Sequence, residues 1–288
     1  MTVLLAHGDR VPVSELGAAW TAEPVVLALA ALALGLFAQA FVRLRRRGRA
    51  DHAGWSRAVL FTAGVAVGTL ALVSPLDAVG EEYLLSGHML QHVLVGDVAP
   101  ALVLVALRGP LLFFFLPGAV LGPLSRLRPL RSALAFLLRP LVSFAVWAGV
   151  LAVWHVPAAY QAVLTRPWAH DLEHVSFVVA GLLAWTQLVD PARRGVPTVA
   201  GRIAFAVGMF ACGTILADVL VFSFEPLYGA YALQDERLLG FSPLTDQRLA
   251  GVVMMVEQLV ALGLCVALLL RERERTAGGR AAPAGAAR

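Results

Sequence analysis

The chain has 288 residues, 59% of them hydrophobic and only 15% charged, with a mean hydropathy of +0.77. Soluble domains average about 45–50% apolar and about 25% charged residues, so an ordinary soluble fold is excluded. The net charge of +4 and the pI near 9.7 raise nucleic-acid binding as a reading, which the placement of the charges then removes.

In chain order, Met1–Ala6 is short, lacks a basic flank and runs into the polar His7, Gly8, Asp9 and Arg10. No cleavable signal peptide is expected, and the first span then acts as its own insertion signal. A spanning helix needs roughly 17–25 mostly apolar residues. Seven segments qualify: Pro24–Val42, Trp55–Val73, His88–Leu107, Pro140–Val156, His170–Val189, Ile203–Phe224 and Leu249–Leu270. An eighth apolar run, Pro110–Leu124, is broken by Pro110, Pro117 and Pro123 and reads as an interfacial or re-entrant piece. The predicted fold is therefore all-α, a polytopic membrane bundle of seven transmembrane helices. Residues 1–23 form an outer segment, 24–270 the bundle and 271–288 a disordered basic tail. There is no internal repeat and no inverted pair of broken helices, so the usual pointers to a secondary transporter are weak. Cys212 and Cys265 both lie in apolar runs and read as small core residues rather than a disulfide.

Arginine sets the orientation. The linker after the first span carries Arg43, Arg45, Arg46, Arg47, Arg49 and Arg57, and the one after the third carries Arg108, Arg126, Arg128, Arg131 and Arg139. Arg193, Arg194 and Arg202 follow the fifth span, and Arg271, Arg273, Arg275, Arg280 and Arg288 follow the seventh. The alternate loops hold only Arg10, Arg166, Arg237 and Arg248. Cytoplasmic loops carry the excess of basic residues, so the N-terminus is expected outside and the C-terminus in the cytoplasm. Counting Pro110–Leu124 as a span would reverse part of this bias. The basic pI is thus a topology signal, and no nucleic acid is expected. The chain also has no lysine, which excludes a retinal Schiff base. The acids favour the opposite side: Asp9, Glu15, Glu23, Asp77, Glu81, Glu82, Glu225, Asp235, Glu236 and Asp246. They either concentrate cations there or simply keep those loops solvated.

Five of the seven histidines collect at the outer helix ends, leaving His52 in the basic linker and His7 in the outer segment. His88 and His92 open the third span, His155 closes the fourth, and His170 and His174 open the fifth. Both pairs are spaced i, i+4, so each shares one helix face. Two imidazoles on one face can bind a single metal, and Met89 beside His88 adds a thioether, a combination that suits Cu(I). Glu173 and Asp171 are placed to orient an imidazole. The ordinary alternative for any one histidine is an interfacial or packing role. Deeper in the spans lie Asp97, Asp218 and Glu257, either counter-charges and proton relays or protonated interhelical partners. Met209, Met254 and Met255 read as core fillers, with Met254 or Met255 close enough to the outer surface to join a metal path.

The run Ser86-Gly87-His88-Met89-Leu90-Gln91-His92-Val93-Leu94, followed by Ala99-Pro100, resembles the signature of the CtaG-like cytochrome c oxidase assembly proteins. So do Trp154-His155-Val156-Pro157, Leu172-Glu173-His174-Val175-Ser176-Phe177, Pro226-Leu227-Tyr228, and Asp246-Gln247-Arg248-Leu249-Ala250-Gly251 with Met254. The pieces are short but ordered from the third span to the seventh. The resemblance implies a multi-pass protein of a bacterial plasma membrane, not an enzyme, that supplies copper to a haem–copper oxidase. Its partners would be membrane lipid and oxidase subunits or copper chaperones. His88, Met89, His92, His155 and His174 match motif positions, whereas His170 rests on spacing. Asp97 and Met255 depart from the pattern, which has an apolar residue and a tryptophan there. The expected site is His88, Met89, His92, His155, His170 and His174 as metal ligands, with Asp97, Glu173, Asp218, Asp246, Met254 and Glu257 as supporting or relay groups. Two other readings stand: a membrane cytochrome with b-type haem on paired histidines, and a copper or cation permease.

Overall fold

The computed structural model describes residues 10–193, 195, 198–234 and 236–281, with side chains as far as Arg275. Met1–Ala6, His7, Asp9, Arg194, Asp235 and the tail residues 282–288 lie outside the described residues, and so do the side chains of 276–281. The described residues form helices and loops only. In chain order the helices are α1 (Pro24–Arg46), α2 (Trp55–Val73), α3 (Leu76–Glu82), α4 (Leu85–Leu107), α5 (Pro110–Phe115), α6 (Gly118–Arg126) and α7 (Arg128–Leu137). They continue as α8 (Pro140–Trp154), α9 (Pro157–Thr165), α10 (Pro167–Val189), α11 (Val199–Phe222), α12 (Gly229–Ala232) and α13 (Pro243–Ala281).

Six of these, α1, α2, α4, α10, α11 and α13, are long and apolar enough to cross a membrane. The seventh expected span is shorter than the sequence suggests. α8 has 15 residues and ends at Trp154, because the residue before a proline is pushed out of the helical region and Pro157 follows Val156. It joins α7 at a bend of 75°, and the count is seven when this bent pair is taken as one span. Large apolar side chains such as Leu141, Ile215, Phe222 and Leu259 face outward along these helices. That exterior fits a multi-pass membrane protein, since lipid rather than water is the complementary solvent.

The run Pro110–Leu124 does not span. It is split into α5 and α6 at Leu116–Pro117, each too short to cross. α7 buries none of its residues. At the far end α13 runs on through Arg271–Arg275 to Ala281, so the stretch expected to begin a disordered tail at 271 is helical. Arg271, Glu272, Arg273, Glu274 and Arg275 are good helix formers of alternating sign.

Packing centres on α4 and α10, the two helices that carry the histidine pairs. Of their apolar stretches, 56% and 50% are buried within the protein, against 17% for α1. α4 touches α2, α3, α10 and α13, and α10 also packs on α8, α9 and α11. Two glycines set the spacing. A Cβ at Gly181 of α10 would overlap the carbonyl oxygen of Gly96 on α4, so the two backbones are in direct contact there. Gly96 lies in a π-helical turn, Leu94–Val98, which widens α4 by one residue as such turns do near functional sites. A Cβ at Gly80 would come within 2.9 Å of the His88 Cα, which places α3 against the start of α4.

Candidate metal centre

Each histidine pair lies inside its helix rather than at its first residue. α4 begins at Leu85 because Asp246, from α13, caps it: its carboxylate accepts from the Leu85 N–H at 2.7 Å, the Ser86 N–H at 3.1 Å and the Ser86 hydroxyl at 2.5 Å. An anion on the free N–H groups of a helix start stabilises it. α10 begins with Pro167 at its first turn, where the missing N–H costs nothing. Both pairs therefore project from formed helical turns. The His88 and His92 rings are 4.3 Å apart and those of His170 and His174 4.2 Å. Across the helix interface His88 lies 6.0 Å from His170 and His92 lies 5.8 Å from His174.

Glu173 enters between the pairs. It is fully buried, and its Oε2 sits 3.4 Å from His88 Nε2 and 3.3 Å from His92 Nε2. The ligand-capable atoms of His88, His92 and Glu173 all lie within 4.8 Å of one another, and so do those of His170, Glu173 and His174. Glu173 is thus common to two overlapping three-residue groups, each with the donor set of an imidazole–carboxylate metal site. From α3, Glu81 reaches His170 Nδ1 at 2.9 Å, the carboxylate contact that commonly orients a metal-binding imidazole.

Three tyrosines close the arginine-poor end. Tyr160 of α9 packs on His88 at 5.1 Å and its hydroxyl meets that of Tyr231 at 3.1 Å. Tyr231 donates to the Gly80 carbonyl, and Tyr228 donates to the His155 carbonyl at 3.0 Å. Burial pushes the phenols of Tyr160 and Tyr228 above their ordinary range, so they stay protonated donors. Beneath this cover both ring nitrogens of His88 and of His92, Nε2 of His174 and both carboxylate oxygens of Glu173 are buried without a hydrogen bond among the described residues. The two histidine contacts to Glu173 are at ion-pair distance but lack hydrogen-bond geometry. Buried polar groups are normally hydrogen-bonded, so a convergence of this many unanswered lone pairs and ring N–H groups fits a cation.

The cytochrome c oxidase caa3 assembly factor family (Caa3_CtaG) has a sequence model that matches residues 35–275. The chain belongs to this family. The match contains every helix from α2 to α12 and the whole imidazole–carboxylate group. No curated protein and no solved structure matches the chain.

Of the expected ligands in this family member, His88, His92, His170 and His174 come together as the paired spacing predicts. His155 belongs to neither of the two groups above; its Nε2 faces Met89 Sδ at 3.3 Å. Glu173, read as an orienting acceptor, occupies the centre instead. Asp171 is exposed and plays no part. Asp246 is a helix cap. Asp97 accepts from Trp185 Nε1 at 3.0 Å. It shares a cavity wall with Met254. The Glu257 oxygens are buried without a hydrogen bond among the described residues, within electrostatic reach of Asp97. Asp218 is half-buried on α11 and makes no hydrogen bond or ion pair among the described residues. Met209 is a fully buried core residue, Met255 packs at the core edge, and His52 pairs with Asp51 at 3.2 Å.

Sequence reasoning missed Glu81, Tyr160 and Tyr231 as site residues, and it took the outer acids for solvated or cation-attracting groups. Glu81, Glu82 and Asp246 are buried instead. The adjacent pair Glu81-Glu82 next to an apolar run was the available signal, because carboxylates rarely enter apolar surroundings without a partner.

Proposed function

We propose that this assembly factor binds copper in the His88, His92, Glu173, His170, His174 group and passes it to the copper centre of the oxidase it helps to build. The observation that carries the reading is the sharing of Glu173 by the two i, i+4 histidine pairs, with the ring nitrogens of His88 and His92 and the Glu173 carboxylate buried without a hydrogen bond among the described residues. The arginine distribution supports a position for this group at the outer face of a bacterial plasma membrane, the side expected to receive copper for an extracytoplasmic or intramembrane centre. With the imidazoles ligating as neutral donors, the Glu173 carboxylate offsets one unit of cation charge in this buried place. Overlapping three-ligand groups let an ion move from one to the other by exchanging one ligand at a time, so transfer needs no rigid cage. The role is binding and hand-over rather than catalysis. Oxidase subunits or copper chaperones are the expected partners.

A haem reading fits less well. The cavity beside the group measures about 30 Å³, far below the few hundred Å³ of a typical small-molecule pocket, so a porphyrin has no place between α4 and α10 as packed. The permease reading predicts copper uptake into vesicles, and hand-over predicts none. The direct test is anaerobic loading of the purified protein with Cu(I). His88→Ala/His92→Ala and Glu173→Gln are expected to lower affinity by about 100-fold or more, the scale of disrupting a metal ligand or its support. They should also lower copper in the assembled oxidase. Wild-type affinity in both variants would overturn the assignment.

A further inference from the structure

His155 and Met89 stand apart from the imidazole–carboxylate group, and their contact poses a problem of its own. His155 sits at the end of α8, held near α10 by a hydrogen bond from Trp154 Nε1 to Ser176 Oγ at 2.7 Å. Its Nδ1 lies 2.8 Å from the Leu151 carbonyl. A carbonyl only accepts, so Nδ1 carries the hydrogen. In the neutral ring Nε2 is then a bare lone pair, and it faces Met89 Sδ at 3.3 Å. A thioether has no hydrogen to give. Two lone pairs therefore meet in a buried place, His155 being 7% and Met89 1% exposed. No carboxylate among the described residues lies within ion-pair distance of His155, so an imidazolium there would be a buried charge without a contact partner.

A soft cation between the two atoms removes the conflict. Bond lengths of about 2.0 Å to nitrogen and about 2.3 Å to sulfur, as found at zinc, span the gap at an angle of roughly 100°, compatible with a three- or four-coordinate site. The Nδ1–H to carbonyl bond is the support that holds a ligating imidazole in one tautomer. A third ligand is at hand: Met254 of α13, 3% exposed, lines the same small cavity as Met89 and His155. Trp147 and Leu151 make its wall largely apolar, and thioether with imidazole selects Cu(I) over harder ions. The cavity also opens on His92, which belongs to the carboxylate-centred group.

We propose that Met89, His155 and Met254 form a second, thioether-containing Cu(I) site, separate from the imidazole–carboxylate group and joined to it through His92. This rests on the copper reading above and adds a step to it: the ion moves between a carboxylate-bearing site and a sulfur-bearing one without change of oxidation state. The three ligands of the second site are neutral, and Asp97 on the same cavity wall supplies a negative charge near the ion.

The test is anaerobic titration of the full-length protein with Cu(I) against a competing chelator, with X-ray absorption at the copper edge. The wild type is expected to bind two equivalents, with sulfur among the ligands. Met89→Leu/Met254→Leu should bind one equivalent and lose the sulfur signal, while Glu173→Gln should keep the sulfur signal and lose the other equivalent. Leucine conserves volume, and a thermal melt checks folding; should the double variant not fold, the wild-type spectrum decides. A wild type with one equivalent and only nitrogen or oxygen ligands would overturn the second site and leave the first standing. A double methionine variant that keeps both equivalents would do the same. Loss of nothing on Glu173→Gln, with sulfur still present, would instead overturn the first assignment alone.

Discussion

The two ends of the bundle both bury charged or strongly polar side chains, and they treat them differently. At the arginine-rich end Arg202 donates through Nε to the Leu188 carbonyl at 2.7 Å and through Nη2 to the Val189 carbonyl at 3.4 Å, and it pairs with Glu272 at 3.5 Å. Those carbonyls are the unsatisfied C-terminal groups of α10, which a cation suits by hydrogen bonding and by the helix dipole. Arg57 likewise donates to the carbonyls of Ala106 and Arg108 at the end of α4. At the arginine-poor end the corresponding helix starts are satisfied by Asp246 and Pro167, yet the imidazoles and Glu173 behind them are left facing one another. One end uses its charges to close the fold. The other keeps a set of ligand atoms in hand, which is why it reads as the binding end.

Variants that separate the two ends sharpen this contrast. The largest effect is expected where both depend on one contact. Gly181→Leu drives a side chain into the Gly96 carbonyl, forces α4 from α10 and should destabilise by about 3 kcal/mol or more, as overpacking a tight interface does. Melting in detergent and copper stoichiometry should fall together. Arg202→Met comes next. It strands two helix-end carbonyls and should cost about 2 kcal/mol, within the range for hydrogen bonds to a charged group, with copper binding unchanged. Lost copper binding in a folded Arg202→Met protein would break the division between the ends. The smallest is Asp246→Ala, which removes the cap from α4 and should cost about 1 kcal/mol. Because that cap sits one turn from His88, a few-fold loss of copper affinity should accompany the lower melting temperature.

The spans were legible because a bilayer demands long apolar runs, and α2 has the same bounds, Trp55–Val73, in sequence and structure. The boundaries that differed were set by groups outside the run. α4 starts before His88 because a carboxylate from residues far along the chain caps it, and α8 stops early because of a proline. The pairing of His88 with His92 and of His170 with His174 was legible for the same reason that helices have faces: 3.6 residues per turn. The separation of Met89 and His155 from those pairs was not. Met89 is adjacent to His88 in sequence, but adjacent residues on a helix point about 100° apart, and only the position of α8 decides what Met89 meets.

The sequence by itself determined that the chain is a bundle of apolar helices, which loops hold its arginines, and that two helices each present a histidine pair on one face. These follow from local periodicity and from the solvent the composition requires. Only the tertiary structure decided that the two faces meet, that Glu173 stands between them with Glu81 behind His170, and that a methionine and a histidine confront each other beside them. Those facts depend on how closely α4 and α10 cross, and that distance is set by two glycines and one backbone carbonyl whose meeting no local pattern encodes.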